Sequence, residues 1–69
     1  MEMDELVTRF TYHAPSGRQP EKYESLRNCG FELASKIDQL CPDSREKSLA
    51  ITKLEEAVMW ANAAIARRE

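Results

Sequence analysis

Apolar residues recur at alternating three- and four-residue steps along two stretches of the chain. Tyr23, Leu26, Gly30, Leu33, Ile37 and Leu40 make the first seam, and Ile51, Leu54, Val58, Ala61 and Ile65 the second. That spacing follows the 3.6-residue turn of an α-helix and predicts two amphipathic helices, over 20–41 and 43–68. Pro20 suits the first turn of the first helix, where its missing N–H goes unused. Pro42 ends that helix, because the residue before a proline is pushed out of the α region. Asp43-Ser44-Arg45-Glu46 reads as a capping box, with Asp43 accepting from the new first turn and Glu46 reaching back. So few residues separate the two helices that they fold back as an antiparallel hairpin. Gly30 stands inside the first seam at a penalty of roughly 1 kcal/mol against alanine, so it marks a close approach of backbone or ligand.

The rest of the pattern is apolar surface with no place in a two-helix seam. Residues 1–8 form a short acidic segment of a helical turn or two, with Leu6 and Val7 as a small contact. Residues 9–19 read as a loop punctuated by Pro15 and Gly17. Ala50, Ala57 and Ala64 line a second stripe on the second helix, while Phe31, Met59 and Trp60 point elsewhere. Two helices share one mutual face, and extended apolar patches outside it mark an interface. The expected architecture is all-α: one helical-hairpin domain over 1–69, its hairpins packing on one another as a homo-oligomer. Size argues the same way, since chains this short need disulfides, a metal or partners to be stable.

Disulfides and metals do not fill that need. Cys29 and Cys41 fall in one predicted helix about 18 Å apart, whereas a bridge needs Cα atoms within about 7 Å. His13 is the lone histidine, and no Cys/His spacing matches a zinc site. Neither a metal nor another cofactor is expected. Without a signal-peptide pattern or a long apolar run, the chain reads as cytosolic, with two free thiols and no membrane partner. The net charge of −2 argues against a DNA or RNA binder, which shows a basic face. It leaves room for a small anionic ligand, because local charge decides that. Arg67 and Arg68 in the last turn also complement the helix dipole.

Local charge and rings meet in Arg9-Phe10-Thr11-Tyr12-His13, which runs straight into Ala14-Pro15-Ser16-Gly17. A cation, two aromatic rings and an imidazole in one short segment suit a flat anion such as a nucleotide, whose bases offer π-faces and whose phosphates accept charged hydrogen bonds. The same residues also suit a hydrophobic plug over the hairpin, with Phe10 and Tyr12 as anchors.

This motif, continued through Tyr23-Glu24, Leu26-Arg27, Pro42-Asp43-Ser44-Arg45-Glu46-Lys47-Ser48 and the run from Lys53 to Arg67 with its Met59-Trp60-Ala61-Asn62, closely resembles a phage family. These are the anti-CBASS proteins, sponges for the cyclic oligonucleotide signals of bacterial antiphage defence. The likeness spans Arg9 to Arg68. It implies a compact homohexamer that sequesters cyclic dinucleotides such as cyclic GMP–AMP without cleaving them, in the cytoplasm of the infected bacterial host. It implies Tyr12 and Arg27 as dinucleotide contacts, Arg27 standing where relatives carry lysine, with His13 and Arg9 beside them. It also implies a separate cyclic trinucleotide pocket with Arg68 and Cys29, the cysteine replacing a threonine. A thiol is the weaker hydrogen-bonding group, so weaker trinucleotide than dinucleotide binding is expected. Phe10 and Trp60 are expected to pack.

Three other classes compete. A hairpin adaptor docking a host protein would use Met59 and Trp60 as anchors. A nucleic-acid regulator lacks its basic helix face. An enzyme is the least expected, since His13 has no acid or base partner in the sequence.

Overall fold

The computed structural model describes residues 1–69 as three helices and no strands: α1 over Met3–Phe10, α2 over Gln19–Leu40 and α3 over Arg45–Arg68. The two long helices form the expected antiparallel hairpin. The N-terminal segment is longer than the sequence suggests, for Arg9 and Phe10 belong to α1 rather than to the loop. Two local hydrogen bonds extend it. Arg9 Nε bonds Glu5 Oε1 one turn back at 3.2 Å, and Thr8 Oγ1 donates to the Asp4 carbonyl at 3.0 Å. Asp4 and Glu5 in the first turn and Arg9 in the last also match the helix dipole.

Gly17, at φ 55°, makes the left-handed turn that leads into α2. Gln19 opens the helix and is the one buried residue of the chain, 8% exposed. Its Oε1 accepts from the Ser16 amide at 3.1 Å, and its Nε2 donates to the Ile65 carbonyl at 3.4 Å. That side chain therefore fastens the loop to the far end of α3. Lys22 and Glu69 add an ion pair at 2.6 Å beside it.

At the other end, Cys41 is extended, as a residue before proline should be. The cap of α3 is Ser44, whose Oγ accepts from the Lys47 amide at 3.1 Å, so the helix starts at Arg45 and not at 43. Asp43, expected to cap, instead takes Lys47 Nζ at 2.9 Å. The same ammonium bonds the Asp38 carbonyl and pairs with its carboxylate, each at 2.9 Å, and so buckles the turn. Ser44 caps from the position directly before the helix, while Asp43, one residue further out, is turned to Lys47.

Tyr23, Leu26, Gly30, Ala34 and Ile37 of α2 are half-buried, and so are Ile51, Leu54, Val58, Ala61 and Ile65 of α3. Leu33 and Leu40, expected in the seam, are exposed. From Gly30 the buried face continues at i+4 and then i+7, which selects Ala34 and Ile37. A Cβ on Gly30 would lie 2.8 Å from Val58 Cγ2. Valine is stiff at χ1 and cannot swing aside. Gly30→Ala therefore lowers the thermal midpoint although alanine is the better helix former; overpacking of about 1–3 kcal/mol outweighs the roughly 1 kcal/mol gained in propensity. A differential scan of the variant checks the sign.

The hairpin encloses no core. No hydrophobic residue is buried, and the molecule is a slab of 45 × 29 × 13 Å. Its radius of gyration, 15.2 Å, exceeds the roughly 11 Å of a compact domain of this length. Its accessible surface, 5693 Å², exceeds the roughly 4,400 Å² expected for its mass. No helix is long and apolar enough to cross a membrane.

Candidate functional site

The loop between α1 and α2 crosses the hairpin where α3 ends, and a cleft of about 490 Å³ opens beneath it. Arg9, Thr11, Tyr12, His13 and Pro15 form its roof. Tyr23 and Arg27, one turn apart, come from α2. Asn62, Ala63, Ala66 and Arg67 come from one face of α3. All four residues expected to contact a dinucleotide, Arg9, Tyr12, His13 and Arg27, thus line a single cleft.

Its chemistry follows from what these groups already bond. Tyr12 is 81% exposed and Phe10 86%, so neither anchors a plug over the hairpin of the protomer. The ring of Tyr12 stands free to stack. His13 Nε2 lies 2.8 Å from the Thr8 carbonyl. A carbonyl only accepts, so Nε2 carries the hydrogen and closes the last turn of α1, leaving Nδ1 for a ligand. Arg9 spends its Nε on Glu5 and keeps its terminal nitrogens. Arg27 and Arg67 form no ion pair, and no carboxylate lines the cleft. A chain of net charge −2 therefore concentrates three guanidinium groups in one concavity, with Ala63 and Ala66 as a low floor.

A second cleft of about 530 Å³ adjoins the first, sharing Arg9, Ala63 and Arg67 with it. Phe10, Trp60, Ala64 and Arg68 complete its lining. Phe10 and Trp60, expected to pack, are exposed in the protomer, Trp60 at 65%. Arg68 donates to both oxygens of Glu5, one bond measuring 3.0 Å. Hydrogen bonds from Arg68 first, and from Arg9 second, hold the Glu5 carboxyl down to about 2. Cys29 is exposed on α2 as a free thiol and lies outside this cleft, so the two residues expected to bind a trinucleotide do not meet within one protomer. No three His, Cys, Asp or Glu side chains come together so as to hold a metal ion.

The family model of the Acb2/Tad1 hairpin domain matches residues 3–66. The chain belongs to the Acb2/Tad1 family. Acb2/Tad1 proteins are phage anti-CBASS sponges that sequester cyclic oligonucleotides, and this chain is one of them. No curated protein and no solved structure matches it.

Within the Acb2/Tad1 hairpin, three cleft residues escape a reading of the sequence alone: Tyr23, Asn62 and Arg67. Tyr23 serves the seam as well as the cleft. Arg67 has a sufficient role at the helix dipole. The usable signal is the pairing of Asn62 with Ala66 and Ala63 with Arg67, each one turn apart and therefore on one face.

Proposed function

We propose that the cleft under the α1–α2 loop is half of a cyclic dinucleotide site, completed by a second copy of the chain. The observation that carries this reading is the set of three arginines with no carboxylate among them, beside the free ring of Tyr12. A cyclic dinucleotide has two phosphates and two bases, and a two-fold interface presents every ring and cation twice. Tyr12 stacks on a base while Arg27, with Arg9 nearby, meets a phosphate, and Nδ1 of His13 accepts from a ligand donor such as a ribose hydroxyl. Stacks of about 1–3 kcal/mol and charged hydrogen bonds of about 1.5–3 kcal/mol, each used twice, supply about 5–12 kcal/mol, whose upper end is the roughly −12 kcal/mol of a nanomolar complex. The messenger is held, not cut, and the CBASS effector in the cytoplasm of the infected host stays silent. Cyclic trinucleotides bind more weakly at Arg68, with Cys29 supplied by a neighbouring copy.

Assembly as a homohexamer belongs to the same reading. The slab carries about 1,300 Å² more surface than a compact chain of its mass, above the roughly 800 Å² that one partner gives to a standard interface. Phe31, Met59 and Trp60 are the subunit surfaces rather than anchors for a host protein.

Native mass spectrometry of the full chain with cyclic di- and trinucleotides tests the whole reading. The expected result is a hexamer carrying intact ligands, dinucleotide at lower concentration than trinucleotide. Linear dinucleotide released on denaturation, or a monomer indifferent to every ligand, contradicts it.

A further inference from the structure

Asn62 is the residue whose presence the fold does not explain. Its Oδ1 is the single buried side-chain oxygen or nitrogen with no hydrogen-bond partner. Asparagine is a weak helix former, and inside a helix it ordinarily turns to water or bonds nearby backbone. Asn62 sits deep in the 24-residue α3, half-buried, among alanines that would suit the turn better. A local rule broken with no gain in stability points to a functional position.

Its surroundings say which function. Asn62 and Arg27 are the two residues common to the aromatic-basic cleft and to the groove beside Gly30 and Phe31, a space of about 710 Å³. A ligand phosphate on Arg27 thus places its nucleoside against Asn62. No hydrogen bond fixes the plane of the amide, and its terminal torsion has a broad two-fold profile, so the carboxamide can turn its oxygen toward an occupant of the cleft. A carboxamide sets one acceptor and one donor side by side. The adenine edge sets a donor, N6–H, beside an acceptor, N7, and the two fit as a bidentate pair. The Tyr12 ring recognises a base by its face, which every base shares. A residue that reads an edge is what a stacking site lacks.

We propose that Asn62 is the base-reading residue of the cleft, Oδ1 accepting N6–H of an adenine and Nδ2 donating to its N7. This rests on the dinucleotide reading above. It adds selectivity to that reading: a cyclic dinucleotide containing adenine is preferred over one whose base lacks the 6-amino group.

The test is calorimetry of the full chain with cyclic di-AMP and with its analogue carrying unsubstituted purine in place of both adenines. The wild type is expected to bind the analogue about 10- to 100-fold more weakly, the span lost when a hydrogen-bonding site is left unpaired. Asn62→Leu, close in volume, and Asn62→Ala, a better helix former, are expected to weaken cyclic di-AMP and to bind both ligands alike. Neither variant loses a bond made within the fold, so both unfold no earlier than the wild type. Wild-type protein that binds both ligands equally overturns the assignment, as does discrimination that survives in both variants. A variant that unfolds early or leaves the oligomer also overturns it, because Asn62 then bonds another subunit. Wild-type protein that binds neither ligand is a different failure, that of the dinucleotide reading itself.

Discussion

Tyr12→Ala and Arg27→Ala each weaken cyclic dinucleotide binding by about 2–6 kcal/mol, from about tens-fold to about ten-thousand-fold. A lost stack is worth about 1–3 kcal/mol per base and a lost charged hydrogen bond about 1.5–3 kcal/mol, and a two-fold site loses each twice. The estimate requires that neither side chain support the fold, and the structure meets that condition. Tyr12 is exposed, and Arg27 forms no ion pair that its removal would orphan. Calorimetry on variants with intact assembly reads the loss directly. Unchanged affinity in both variants would show that the arginine cleft is not where the ligand sits.

Ala57→Trp is expected to break the oligomer while leaving the hairpin folded. Ala57 stands with Ala50 and Ala64 on an exposed stripe of α3, turned from the half-buried face of Ile51, Leu54, Val58 and Ile65. An indole on that exposed stripe stays off the half-buried face that packs on α2, but it holds apart any helix that approaches across alanines. Far-ultraviolet circular dichroism should report unchanged helix. Light scattering should report a drop from the mass of six chains to one or two. A wild-type chain that is a stable monomer at micromolar concentration removes the assembly proposal outright.

What could be read from the sequence, and what could not, divides along physical lines. The two long helices are legible because three-four spacing sustained over about four to five turns has no other explanation, and Pro42 leaves little choice about where the first one stops. Their ends and register are less so. Asp43 and Ser44 are both good caps, and the sequence does not tell which of the two stands directly before the first helical residue. Leu33 outranks Ala34 in hydrophobicity, yet the helical phase set at Gly30, where α2 comes closest to Val58, puts Ala34 on the buried face and Leu33 outside it. The extension of α1 rests on Glu5–Arg9 and on the His13 bond to Thr8, contacts that a run of aromatic residues beside a proline obscures. The cleft was legible in Arg9, Tyr12, His13 and Arg27 because a ring, cations and an imidazole stand out in composition and match a family motif. Arg67 and Asn62 did not stand out, since a C-terminal arginine and a helical asparagine each have ordinary explanations until neighbours are known.

Glu5 supplies the basic end of the molecule with an oxyanion of its own. Its carboxylate takes two bonds from Arg68 and one from Arg9, the pattern that a pair of phosphate oxygens would take. A phosphate that engages Arg68 therefore arrives by exchange, one oxyanion leaving as the other enters. Exchange between like groups releases much less free energy than filling a vacant guanidinium. Acid does not clear the way either, for a carboxyl held down to about 2 stays ionised far below neutral pH. The Glu5–Arg68 bonds are also the only hydrogen bonds that join α1 to α2 or α3. Whatever displaces Glu5 unhitches the first helix in the same step, so the occupancy of Arg68 and the freedom of α1 report one equilibrium.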